Sequence, residues 1–200
     1  MHYLHYSNFW NEENDDVDGL VDKVLELREQ AEKNGTEVVI LMPPVKDDIS
    51  DVSYETGMPY SDKNWVADEY LSKLQEAGFK VLDFRETIKE AGLTYEESFY
   101  VTDHHWTTEA VFVCFQEFVA RMEEWYGIEL DPDGMYTDAE NYNILKYEDS
   151  NLGSHGRDTG IVYAGGLDDF TLMYPKYYTN FTYEWGTLEA SSVLNGRFED

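Results

Sequence analysis

Basic residues are scarce in this chain: 14 Lys and Arg stand against 42 Asp and Glu, a formal net charge of −28. That imbalance argues against a nucleic acid partner, because binding one means neutralising phosphates with cationic side chains. It disfavours an anionic membrane surface on the same ground. The plain consequence of the charge is solubility. Carbohydrate or another neutral small molecule stays allowed. Cysteine is nearly absent. Cys114 is the only one, so neither a disulfide framework nor a cysteine zinc site can be built. It falls on the apolar face of a helix and reads as a buried, inert thiol. No apolar run reaches the roughly 18 residues of a membrane span, and no leader peptide is legible at the start. Histidine numbers only five, and two of them stand side by side.

What is present predicts a folded α/β protein. Two hundred residues, 42% hydrophobic and 16% aromatic, suffice for one domain with a core, or a domain with a small appendage. Val17, Leu20, Val21, Val24, Leu27 and Ala31 form a helical stripe over 16–34. Residues 36–42 are a β-branched run, the pattern of a strand buried on both faces. Pro43-Pro44 stops it, and 46–62 read as an irregular acidic loop. A second helix over 63–77, a buried strand over 79–83 and a short helix over 86–91 follow. Residues 98–102 read as a strand. A helix over 107–126 carries Val111, Phe115, Phe118, Met122 and Trp125 as its core stripe, closed by Gly127. Strands alternating with helices predict a parallel sheet. The character changes after Asp131. Short aromatic segments separated by glycine, with period-two alternation from Tyr177 to Trp185, predict an antiparallel insertion or lid. We therefore expect an α/β core over 1–130 and a β-rich part over 131–200, within a single domain overall.

Asp103-His104-His105-Trp106 is the most informative stretch. On extended backbone, residues i and i+2 share a face, so Asp103 and His105 meet and His104 points away. A carboxylate beside an imidazole fixes the tautomer and leaves the other ring nitrogen as a base. Three chemistries stay open on these residues: the acid and base of a serine acyl-transfer triad, metal ligation, and a hydrogen bond that only stabilises a turn. Trp106 can wall the imidazole from water. The group sits at the entry to a helix, where α/β folds place their chemistry.

The four-residue string resembles the signature of the DHHW family, part of the SGNH-hydrolase-like group that includes alginate O-acetyltransferase domains of the AlgX and AlgJ type. Val38 to Pro44, Tyr100 to Thr107, Leu152 to Arg157 and Gly165 to Phe170 are similar to further segments of that family, over roughly 36–175. The resemblance implies a parallel-sheet SGNH-like sandwich and a Ser-His-Asp mechanism. Asp103 is then the orienting acid and His105 the base, with His104, Trp106 and Arg157 as substrate-binding candidates. It also implies a serine in a Lys-Asp-Ser-like turn after a further buried strand. No such strand and turn precede Asp200. Asp149-Ser150 follows the poorly apolar Leu145-Lys146-Tyr147-Glu148, and Ser154 is the fallback nucleophile. A nucleophile outside this chain, or a chain without activity, is the expectation. The implied function is O-acetyl transfer or ester hydrolysis on an envelope or extracellular polysaccharide. No metal or organic cofactor is expected. The implied partners are the polysaccharide, an acetyl-donor protein and an envelope biosynthesis complex, and the implied location is extracellular or the cell envelope.

Two rival readings remain. A non-catalytic glycan-binding or scaffold domain would use its aromatic faces, the alternating tyrosine strand included. A metal-dependent phosphoesterase of the DHH type shares Asp-His-His, but its Asp-x-Asp after an early strand is missing here. Asp131-Pro132-Asp133-Gly134 lacks the glutamate that closes a calcium loop and reads as a turn. Residues 153–160 read as a flexible loop in preference to an anion nest. His155 reads as exposed, and His2 and His5 sit in an unpatterned terminus.

Overall fold

A computed structural model describes residues 16–46, 64–178, 181–187 and 190–196. The N-terminal stretch with His2 and His5, and most of the acidic stretch 46–62, lie outside the described residues. The sheet of the α/β part is a parallel pair, β1 (Val39–Met42) and β2 (Lys80–Asp83), with Ile40 beside Val81 and Leu41 beside Leu82. Successive strand residues face opposite ways, and each face receives helices. Ile40 and Val81 pack with Val17, Val21, Leu74 and Phe79 beneath α1 (Val17–Glu32) and α2 (Asn64–Glu76). Leu82 turns the other way and joins Phe84, Ile88, Ala110 and Cys114 from α3 (Phe84–Glu90) and α5 (Thr108–Tyr126). Between those two helices lies α4 (Tyr95–Ser98). Leu74 is completely buried; removing a side chain of that size from water contributes about 2 kcal/mol. The fold class is mixed α/β, as the alternation of elements predicts.

Local chemistry sets the element ends. Asp16 Oδ1 accepts the Gly19 N–H at 2.9 Å and starts α1. Thr107 Oγ1 accepts the Ala110 N–H at 3.2 Å and starts α5. Gly127, at φ 66°, ends α5 in the left-handed region that glycine enters without a Cβ penalty. Arg85 bonds both oxygens of Asp83 and reaches Asp68 at 2.7 Å, which ties the end of β2 to α2.

Four expectations are corrected. The strand expected over 36–42 spans four residues and is half-buried, with Leu41 41% exposed; among the described residues it pairs on one side only, with β2. The core side of α5 is Ala110 and Cys114, backed by Phe118 and Trp125, while Val111 and Phe115 stay exposed. Positions 110, 114 and 118 also keep helical spacing, and the small Ala110 and Cys114 pack against Leu82, Phe84 and Ile88. Residues 98–102 are not a strand. α4 ends there, held by a reciprocal cap between Thr94 and Glu97, and a lone antiparallel bridge joins Phe99 to Trp106. Residues 161–164, within an expected β segment, form the helical turn α7 (Ile161–Ala164).

The rest of the C-terminal third is antiparallel, as its period-two pattern predicts. β3 (Tyr142–Asn151) pairs with β4 (Asp168–Pro175), and β5 (Phe181–Thr187) with β6 (Ala190–Gly196). Residues 145–148 do lie in a strand, but an exposed one. Thr108 Oγ1 donates to the Thr171 carbonyl, and Thr171 Oγ1 donates to Glu109. These contacts fasten β4 to the first turn of α5, beside the Asp103 loop.

Candidate active site

Residues 100–105 form a loop closed at its base. Thr107 N–H donates to the Ser98 carbonyl at 2.8 Å, and Tyr100 N–H to the His105 carbonyl at 3.3 Å. Trp106 anchors the closure, packing its ring 5.9 Å from Phe84 in the core beneath α5. Its indole therefore belongs partly to the core.

Within the loop Asp103 and His105 meet. Asp103 Oδ1 lies 2.5 Å from His105 Nδ1 and also accepts the His105 N–H at 3.0 Å. Its Oδ2 accepts the Ser154 N–H at 2.7 Å. Burial pushes the Asp103 carboxyl up, but the amides of Ser154 and His105 and then the His105 ring outweigh it and hold the group well below the usual carboxylate range. The carboxylate is ionised at neutral pH. It commits His105 Nδ1 as a donor, which leaves Nε2 to take a proton. The His105 side chain is 65% exposed against 12% for Asp103, so the acid is sheltered and the base is open to a substrate.

His104 does not point away from the pair. Its ring centre lies 3.8 Å from that of His105, the two rings tilted by 38°, and its Nδ1 lies 2.9 Å from Ser154 Oγ. The loop turns where the pattern suggested extended backbone, so the two rings converge. Ser154 thus meets His104 and not His105. The nitrogen of His104 that meets Ser154 is also its nearer one to Asp103, at 3.5 Å. A relay needs the acid on one ring nitrogen and the hydroxyl on the other. Residues 154–159 form the helix α6 (Ser154–Thr159) where a flexible loop was expected. On it Arg157 donates to the Leu152 carbonyl at 3.1 Å from an exposed position. His155 is half-buried, its ring 5.8 Å from His104.

Asp103, His104 and His105 present donor atoms within 4.8 Å of one another. Two donors on one transition ion, each at about 2.1 Å, sit roughly 3 Å or more apart. The 2.5 Å between Asp103 and His105 is a hydrogen-bond distance instead. Cys114 is buried as expected, and burial pushes its thiol up to about 12; it is no nucleophile.

Residues 10–140 match the family described as SGNH hydrolase-like domain, acetyltransferase AlgX. The chain belongs to that family. Among solved structures, Bacillus cereus PatB1 is similar over 94% of this chain and 61% of its own, at 17% identity and TM-score 0.66. The O-acetyltransferase domain of Pseudomonas putida AlgJ is similar over 84% and 61%, at 15% identity and TM-score 0.58. A DHHW family protein from Eubacterium siraeum is similar over 82% and 50%, at 18% identity and TM-score 0.56. This SGNH-like chain therefore spans about half to three-fifths of the length of those relatives. No curated protein matches it. Among the described residues no helix is long and apolar enough to cross a membrane.

Four residues of the site escaped sequence reasoning. Lys46, assigned to an irregular acidic loop, is buried against the Asp103 loop. Asp168 accepts from Val101 and Thr102. Thr102 Oγ1 accepts the Gly153 N–H at 2.8 Å, and Gly153 lies against Asp103. The available signals were weak: a lysine just past a strand-ending Pro-Pro, and an aspartate inside a segment already set apart by resemblance.

Proposed function

We propose that this chain supplies the acid and base of an acyl-transfer site acting on acetyl esters of an envelope or extracellular polysaccharide. The observation that carries the reading is the contact between the sheltered Asp103 carboxylate and Nδ1 of the open His105 ring. A serine hydroxyl attacks the acetyl carbonyl, and His105 Nε2 takes its proton. Asp103 holds the Nδ1–H and stabilises the imidazolium. Backbone N–H donors hold the oxyanion, each typically worth ~3–4 kcal/mol. His105 then gives the proton to the departing alcohol, leaving an acetyl-serine. A sugar hydroxyl, or water in an esterase, loses its proton to His105 and attacks that ester, and His105 returns the proton to the serine oxygen as it leaves. We assign the serine to a position outside the described residues. Ser154 is the alternative within the chain, and its contact with His104 counts against it. His104, Trp106 and Arg157 are proposed to flank the substrate. We place the reaction at the cell envelope, with an acetyl-donor protein and the polysaccharide as partners. The scheme calls for no metal or organic cofactor.

A glycan-binding scaffold is the second reading, favoured by exposed aromatics on the C-terminal sheet such as Tyr147 and Phe170. Acetyl-ester turnover by this chain, and by a form extended at its C-terminus, separates the two. Under the acyl-transfer reading turnover appears in at least one form, and His105→Ala lowers kcat about 10⁶-fold. Turnover unaffected by His105→Ala overturns the mechanism. Glycan binding without turnover in either form establishes the scaffold.

A further inference from the structure

The Asp103 loop is held through its main chain by two buried ions of opposite sign. Lys46 and Asp168 are 5% and 9% exposed. The ammonium of Lys46 has three N–H donors, and the carbonyls of Tyr100, Val101 and Asp103 lie 2.5, 2.8 and 2.6 Å from its Nζ. The remaining carbonyl, of Thr102, accepts from Gly156 at 2.9 Å. The amides face the other ion. Asp168 accepts the N–H of Val101 at 2.7 Å, the N–H of Thr102 at 2.8 Å and the Thr102 hydroxyl at 2.5 Å. All four carbonyls from Tyr100 to Asp103 are thus satisfied although the loop itself forms no regular strand or helix.

Burying a charge is costly, and a buried ion aligned on backbone dipoles holds them at a fixed distance and angle. The two clamps arrive from opposite ends of the chain. Lys46 follows the carboxyl end of β1, and Asp168 begins β4. Their contacts with the loop run to its main chain and to the Thr102 hydroxyl. The Lys46 ammonium grips the carbonyl of Asp103 itself, and Asp168 fixes the two residues before it. A shift of the loop backbone would therefore move the carboxylate away from the imidazole.

We propose that Lys46 and Asp168 are positioning residues for the Asp103–His105 pair, one fixing the carbonyls and the other the amides of its loop. The proposal rests on the acid–base reading of that pair, and its test needs no turnover. An Nδ1–H held by a carboxylate exchanges slowly enough to give a far-downfield proton signal, coupled to the ring nitrogen of His105 in labelled protein.

The experiment compares this signal in the whole chain, in Lys46→Met and Asp168→Asn, and in Leu74→Ala. The last loosens the core under α1 and α2, away from the loop. The signal is expected in the unaltered chain and in Leu74→Ala, and is expected to be lost in both clamp variants even where they melt no lower than Leu74→Ala. If a charge-removing variant fails to fold, Thr102→Val carries the test. It deletes one hydroxyl of the clamp at nearly constant volume and is expected to weaken the same signal. Persistence of the signal at full intensity in the folded clamp variants, or in Thr102→Val, overturns the proposal. Its absence from the unaltered chain overturns the acid–base reading and the clamp together.

Discussion

Asp103 accepts from the amide and ring of His105 and from the amide of Ser154, and a carboxylate with three such donors resists protonation. Its folded-state value lies below the ordinary 3.8, so the stability it lends is complete above that pH. It is lost as pH falls from there through the folded value. Glu97, Asp131 and Asp169 are also held low, which makes the absolute acid sensitivity a sum over several groups. The difference between the unaltered chain and Asp103→Asn isolates the one of interest. Urea unfolding at stepped pH should show a gap between the two that is constant from pH 7 to about 5 and shrinks below about 4. A gap that does not change with pH would mean that the Asp103 carboxylate lends the fold no charge-dependent stability.

At the scale of elements, the first turn of α6 packs against the Asp103 loop as closely as backbone can approach side chain. A Cβ on Gly153 would fall inside van der Waals contact with Asp103 Cβ, Asp103 Oδ2 and the Thr102 carbonyl oxygen. The atoms in the way are backbone and the acid itself, which have no room to yield. Gly153→Ala is expected to cost about 1–3 kcal/mol of stability by overpacking. It should also lower kcat about 100-fold, the usual effect of a displacement near 1 Å at a reacting group. Thermal melting and ester turnover on the same preparation check both. A variant that melts normally and keeps full turnover would show that α6 yields at this point. The same packing explains why Ser154 matters through its amide, whatever its hydroxyl does.

For the whole molecule, the net charge of −28 acts as self-repulsion within the compact state. Several exposed pairs, such as Lys73 with Asp18 and Glu69, offset little of it. Raising NaCl from about 0.01 to about 0.15 M shortens the screening length from roughly 30 to 8 Å. Tm should rise across that range. A fall would mean that the attractive pairs outweigh the repulsion.

The sequence by itself determined the α/β class, the limits of the main helices and the Asp103–His105 pair. Each of these depends on short-range rules: helical spacing, capping by Asp16 and Thr107, termination at Gly127, and two residues set apart by one. It did not determine which stripe of α5 faces inward, because positions 110, 114 and 118 and positions 111, 115 and 122 both satisfy helical spacing. Only packing against Leu82 and Phe84 chose between them. It could not orient His104 either, since that depended on a turn closed by the Phe99–Trp106 bridge. Lys46 and Asp168 were the least legible, standing 57 and 65 residues from Asp103 with only weak local marks. They act on backbone groups, which every residue carries, so no side-chain pattern in the loop announces a partner, and only the tertiary structure brings the two ions to it.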